Sequence, residues 1–110
     1  MGENELDSYK ELVDGFVAIS ERDYRKVIEN KKSTFMDKLN DEEKEVLFEW
    51  LSEARTGGIH DMLVYLNDLQ NLEDLTIIKG KKKLPKEPFG TEIFYDYMCR
   101  LKGDSWPENE

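Results

Sequence analysis

Apolar residues recur at every third or fourth position through most of the chain, and this spacing constrains the fold more than any other feature. From about Asn4 to Ile19, apolar side chains fall on one side of a helix of about 3.6 residues per turn, and charged side chains fall on the other. Segments with the same pattern begin near residues 21, 41, 58 and 92. A chain of this kind buries its apolar stripes by packing helices against one another.

Helix start and stop signals separate these segments. Ser20 is predicted to cap a second helix that runs to about Asn30. Asn40, which three acidic residues follow, is the strongest predicted helix start, because carboxylates near a helix N-terminus interact favourably with its dipole. Gly57 and Gly58 are predicted to end that helix, and the next helix is expected to begin directly after them.

The region between the last two helices has a different composition. Residues 75–78 resemble a strand, and Gly80 can turn the chain back into a second short strand before two prolines enforce an extended connection. The sequence therefore predicts one all-α domain over residues 1–110. Its expected architecture is an antiparallel bundle of about five helices, with a short β-hairpin or an extended loop near residues 75–88.

Two apolar stripes are expected to form much of the core. The helix after residue 40 carries one stripe, which consists of Val46, Leu47, Trp50, Leu51 and Ala54. The last helix carries the other, which consists of Ile93, Phe94, Tyr97, Met98 and Leu101. Each stripe repeats with the helical period, so we expect its members to face the interior together.

The last helix and the tail that follows it carry further apolar residues. Tyr95 and Cys99 stand four residues apart on the face opposite the stripe. We predict that this helix runs through the centre of the bundle; the alternative is that its second face meets another chain. Trp106 is expected to fold back onto the body, and the alternative is an aromatic anchor for a partner. Tyr95, Cys99 and Trp106 are therefore candidate partner-binding residues.

Charge is high and unevenly distributed. The net charge is −9, although residues 79–86 carry five lysines and no acid. A body this negative repels nucleic acid and membrane surfaces, and it favours a basic partner. Glu42, Glu45 and Glu49 form an acidic face that is a candidate partner contact. The alternative for these three residues is a face that only water contacts.

A basic loop interrupts the acidic chain. Its five lysines are Lys79, Lys81, Lys82, Lys83 and Lys86. Contact with phosphates would be a functional role, but no aromatic residue lies between the lysines to stack on bases, and the acidic body opposes nucleic acid. We therefore interpret the loop as a lysine-rich edge strand that prevents aggregation between sheets, with a charged contact to a partner as the alternative.

His60 and Cys99 are the candidates for nucleophilic catalysis. A catalytic dyad needs both side chains within hydrogen-bond reach, which the sequence does not indicate. No spacing of histidine, cysteine or carboxylate residues predicts a metal or a cofactor. A single cysteine and the lack of a long apolar run predict a location in the reducing cytoplasm.

Three functions are compatible with these patterns. The leading hypothesis is a small acidic protein without enzymatic activity, an interaction or inhibitor-like protein that engages a basic protein partner. The first alternative is a small enzyme that uses His60, Cys99 and carboxylates. The second is a nucleic-acid-associated regulator that uses the lysine-rich loop. A monomer is favoured over a homodimer.

Overall fold

The computed structural model of the protein describes residues 4–31 and 33–107. The helices are α1 (Glu5–Ser20), α2 (Arg25–Glu29), α3 (Thr34–Asp37), α4 (Asp41–Leu72) and α5 (Ile93–Leu101). Two antiparallel strands, β1 (Ile78–Lys79) and β2 (Lys82–Lys83), lie between α4 and α5. The described chain is thus mostly helical with one small sheet, as the sequence predicts in outline. The ends of the predicted domain, residues 1–3 and 108–110, lie outside the described residues.

The core lies where α1, α4 and α5 meet. α5 packs against both α1 and α4, and α1 also contacts α4. The buried apolar side chains at this junction are Tyr9, Val13, Val17, Leu63, Ile93 and Tyr97. α5 therefore lies between the two longer helices with one side inside the core, whereas Tyr95 on its other side is exposed.

α4 is one continuous helix of 32 residues, so the predicted break at Gly57 and Gly58 is wrong. Two glycines inside a helix cost about 1 kcal/mol each relative to alanine. Buried side chains on both sides of the glycines, Phe48 and Leu63, hold the flanking turns in place and offset this cost. The two helices predicted on either side of the glycines form the single helix α4, and α2 and α3 are each about one turn long. The described residues therefore do not form a bundle of five comparable helices.

α1 includes Ser20, which the sequence predicts as the cap of the next helix. The Ser20 hydroxyl donates to the Phe16 carbonyl at 3.0 Å, and it shares a hydrogen bond with the buried Tyr97 hydroxyl. These partners satisfy a polar group that the core removes from water. α2 begins only at Arg25, whose backbone N–H donates to the Asp23 carboxylate at 2.9 Å.

The predicted hairpin is confirmed. β1 and β2 pair with Lys79 opposite Lys82. Gly80 in the turn has a φ of +65°, a left-handed conformation that glycine adopts without steric cost. Leu84, directly after β2, is buried and fixes this end of the hairpin to the body.

Most of the stripe predicted for the core on the first half of α4 is exposed instead, although Leu47 and Leu51 are half-buried. Trp50 is 64% exposed, and Val46 is exposed as well. The buried residue of this half is Phe48, over whose ring the Arg25 guanidinium lies at 5.0 Å. A helical wheel identifies an apolar side but not the neighbour that covers it. Here α1 and α5 pack against the second half of α4, around Leu63, and they leave Trp50 uncovered.

Candidate protein-binding groove

An open groove lies between α3 and the first turns of α4. Its volume is about 370 Å³. It is lined by Phe35, Leu39, Glu42, Glu43, Val46, Leu47 and Trp50. Phe35 is 59% exposed and Trp50 is 64% exposed, so two large rings border one cavity without being buried. We call this site the acidic groove. Exposed apolar surface with a polar rim is typical of binding sites for other molecules.

The start of α4 holds the groove in shape. The Asn40 side chain accepts a hydrogen bond from the Glu43 N–H at 2.8 Å, and the Glu43 carboxylate accepts one from the Asn40 N–H at 2.9 Å. This reciprocal capping box satisfies donors that a helix N-terminus leaves unpaired. The cap fixes the backbone at the start of α4, which the chain enters directly after α3, the helix that carries Phe35.

The groove has an acidic rim. Among the described residues of its lining, Glu42 and Glu43 are the charged ones, and none is a lysine or an arginine. α4 as a whole carries eight acidic and two basic side chains. One of the two, Arg55, lies 3.6 Å over the Tyr24 ring and donates to the Ile19 carbonyl, so it is engaged on the α2 side of the helix. The described lining therefore combines exposed apolar side chains with two carboxylates.

Glu45 and Glu49, predicted to share an acidic face with Glu42, line a different cavity. This cavity of about 500 Å³ lies between α2 and α4. Arg25 donates to both carboxylate oxygens of Glu45, at 2.5 and 2.7 Å. This hydrogen bonding lowers the pKa of Glu45 and raises the pKa of Arg25. Because a cation of the chain itself engages Glu45, the acidic groove beside Glu42 is the better candidate for a basic partner.

The other three predicted partner-binding residues lie together elsewhere. Tyr95, Cys99 and Trp106 line one cavity of about 230 Å³ between α5 and the tail that follows it. Tyr95 is exposed and Cys99 is half-buried. A side-chain hydrogen bond with Cys99 raises the pKa of Tyr95. The structure thus brings these residues together, but it places them apart from the lining of the acidic groove.

Trp106 folds back onto the body, as the sequence predicts. Its ring stacks on Phe89 with centroids 5.5 Å apart, and its indole N–H donates to Asp14 at 3.4 Å. The Arg100 guanidinium lies 4.9 Å from the ring centre and also binds Asp14. These contacts engage both the ring and the N–H of Trp106. The tail therefore offers a partner less free aromatic surface than Trp50 does.

His60 and Cys99 line separate cavities. His60 lies in the middle of α4, not in the first turn of a helix as predicted, with its ring edge-to-face on Phe94 at 5.4 Å. Its cavity also includes Met98, whereas Cys99 borders the cavity beside Trp106. Within residues 4–31 and 33–107, no cluster of three or more histidine, cysteine or carboxylate residues could hold a metal ion.

The lysine-rich loop forms the hairpin and the segment after it. Lys79 bonds Glu11 of α1 at 3.4 Å, which holds the hairpin against the body. Lys83 and Lys86 border a cavity of about 380 Å³ together with the buried Gln70. Lys81 lies in the turn and is exposed. The interpretation of this loop as protection against aggregation stays a prediction.

The sequence did not indicate that Phe35 and Trp50 belong to one site. The helical spacing predicts Trp50 in the core, and α3, which carries Phe35, is a single turn. One signal was available: a single helical turn such as α3 has too few residues to bury an aromatic ring on its own. Phe35 must therefore pack on another element or remain exposed.

Comparison with known proteins identifies one family. The model of a family of unknown function, DUF6547, matches residues 2–108 of the chain. No curated protein matches, and no solved structure matches. In the part of the chain that the structure describes, no helix is both long enough and apolar enough to cross a membrane.

Proposed function

The chain belongs to DUF6547, a family of unknown function, and we propose that it is a small protein-interaction domain without enzymatic activity. Its acidic groove receives a basic segment of a protein partner, as an adaptor or an inhibitor would. The observation that carries this proposal is the pairing of exposed Phe35 and Trp50 with the carboxylates of Glu42 and Glu43 in one groove.

Apolar contacts in the groove supply affinity. Aromatic side chains near the centre of an interface contribute most of the binding free energy, and Trp is prominent among them. Trp50 and Phe35 lose exposed apolar surface when an apolar side chain of the partner enters between them. Burial of one large apolar side chain is worth about 1.5–3 kcal/mol.

Charge selects the partner and speeds its approach. The chain carries a net charge of −9, and the charged residues of the groove lining that the structure describes are both carboxylates. Opposite charges on two proteins raise their association rate, whereas like charges oppose their association. The partner segment is therefore apolar on one side and rich in lysine or arginine around that side.

Peptide titration tests this proposal. The probe is a synthetic amphipathic helix of about 14 residues, or four turns, with leucine on one side and lysine on the other. Calorimetry should detect binding to the wild type. Binding should weaken at least about tenfold in Trp50→Ser and in Phe35→Ser, because each change removes a central aromatic contact.

Two controls make the test specific. A peptide with glutamate in place of lysine should not bind, because like charges oppose contact. The variant Val27→Ser alters an equally exposed apolar residue on α2, outside the groove lining, and should bind as the wild type does. Unchanged affinity in Trp50→Ser and Phe35→Ser, or equal binding of both peptides, would contradict the proposal.

A further inference from the structure

We propose that the partner segment is a basic amphipathic α-helix that lies along the whole outer face of α4, well beyond the acidic groove. The inference rests on the proposed function, since this helix begins its contact in the groove. It adds the secondary structure of the partner, its minimum length and its path across the molecule.

The outer face of α4 is an uncovered side of the helix from its second turn to its last. Its residues are all exposed: Val46, Trp50, Ala54, Gly57, Gly58, Asp61, Met62, Tyr65, Asp68 and Leu72. The apolar residues beyond the groove are uncovered to an unusual degree, since Met62 is 71% exposed, Tyr65 is 65% and Leu72 is 80%. Large apolar side chains that repeat along one helix face are typical of helix-to-helix recognition.

The spacing of these residues favours a helical partner. They follow each other at intervals of one to four positions along one side of α4, and Val46 and Leu72 are about 39 Å apart at about 1.5 Å per residue. A second helix has the same period, so its side chains meet the face at every turn. Near the middle, Gly57 and Gly58 have nothing within 4 Å of an added Cβ, which leaves room for close approach of a partner backbone.

Charge identifies the partner as another protein and not a second copy of this chain. The charged residues of the outer face are Asp61 and Asp68, both acidic, and Glu42 and Glu43 border its first turns. The basic residues of α4, Lys44 and Arg55, are not exposed on this face. Two copies would therefore bring like charges together, which opposes association. A helix with lysine or arginine beside its apolar stripe matches the same face.

Peptides of two lengths test this inference. The first is the leucine–lysine helix of about 14 residues described above, and the second continues the same pattern to about 28 residues. A third peptide has the longer length and all the lysines, but serine replaces leucine in its second half. The third peptide separates the contribution of apolar contact from that of added charge.

The longer leucine–lysine peptide should bind the wild type at least about tenfold more tightly than the shorter one, because it covers the second half of the outer face. The serine-containing peptide should lose most of this gain. The double variant Met62→Ser, Tyr65→Ser should also lose the gain while keeping the wild-type affinity for the shorter peptide. Thermal unfolding should be unchanged in this variant, since both side chains are exposed.

Equal affinity for the two peptide lengths would overturn the inference, and so would a length effect that survives in the Met62→Ser, Tyr65→Ser variant. Either result leaves the proposed function intact if Trp50→Ser still weakens binding of the shorter peptide. Sedimentation of the chain alone tests the choice of occupant. A monomer at micromolar concentration supports it, whereas a dimer that Tyr65→Ser dissociates would assign the outer face to a second copy.

Discussion

The Tyr9 hydroxyl donates a hydrogen bond of 2.5 Å to Oδ2 of Asp96. This bond joins α1 to α5 through two residues that are 87 positions apart in the sequence. The Thr91 hydroxyl donates to the other carboxylate oxygen at 2.5 Å. Tyr9 and Asp96 are both buried. Because both oxygens of a buried carboxylate are satisfied, the packing of α1 on α5 depends on this pair as well as on apolar contacts.

Removal of the Tyr9 hydroxyl should therefore destabilise the fold. Tyr9→Phe keeps the ring but leaves one Asp96 oxygen without its donor, which costs about 1–3 kcal/mol in the free energy of unfolding. Urea denaturation followed by circular dichroism measures this change. Tyr95→Phe is the matched control, because Tyr95 is exposed on the side of α5 that faces away from the core, and it should change the free energy of unfolding by far less. Equal effects of the two variants would show that the buried bond contributes nothing.

Ionisation of Tyr9 should make the fold less stable at alkaline pH. Burial, and then the hydrogen bond to Asp96, raises the pKa of Tyr9 above its ordinary value of 10.0. The unfolded chain ionises this phenol near its ordinary pKa while the folded chain keeps it neutral, so the stabilisation is complete below pH 10 and declines above it. Tm should fall more steeply above this pH in the wild type than in Tyr9→Phe. Parallel curves for the two proteins would contradict the assignment.

Alanine in place of the central glycines of α4 should stabilise the protein. An added Cβ at Gly57 or Gly58 meets open space, and neither glycine has a positive φ. Gly57→Ala and Gly58→Ala should each raise the free energy of unfolding by about 0.5–1 kcal/mol, because alanine favours the helix interior. If the chain instead ended a helix here with a left-handed glycine, one of these substitutions would lower Tm.

The contact between Arg25 and Glu45 should respond to acid. Hydrogen bonding to Arg25 lowers the pKa of Glu45 below its ordinary value of 4.5. A lowered folded-state pKa stabilises the fold above the ordinary pKa, and the contribution is lost as pH falls through the folded-state value. Glu45→Gln should therefore lower Tm slightly at neutral pH and make no difference in strong acid. A difference in Tm that stays constant from neutral to strongly acidic pH would rule out this linkage.

Local signals in the sequence predicted several elements because each depends on neighbouring residues alone. The Asn40 cap, with Glu43 completing the capping box, marks the start of α4, and Gly80 marks the turn of the hairpin. Both features arise from backbone geometry within four residues. The break predicted at Gly57 failed for the opposite reason. Helix continuation there depends on packing of distant residues, which offsets the low helix propensity of glycine.

The candidate site was harder to predict than the fold. Trp50 belongs to an apolar stripe, and the sequence cannot indicate whether that stripe meets another helix of the same chain. The outcome depends on the length of α4, because a continuous helix carries Trp50 away from the junction with α1 and α5 around Leu63. Phe35 comes close to Trp50 only through the direction in which the chain enters α4. Both relationships are tertiary, so helical period alone does not determine them.

Photo-crosslinking in an extract of the cells that produce this protein, at a series of salt concentrations, tests the central claim most directly. In one variant, a photoreactive phenylalanine replaces Trp50 in the acidic groove. In a second variant of the same chain, it replaces Val27, which is similarly exposed on α2 but lies outside the groove. Irradiation should link the position-50 probe to a basic protein through a predicted amphipathic helix, and the product should diminish as salt is raised, because screening weakens charge-driven association. The position-27 probe should not form this product. Identical products from both positions, or an acidic protein as the partner at position 50, would contradict the account.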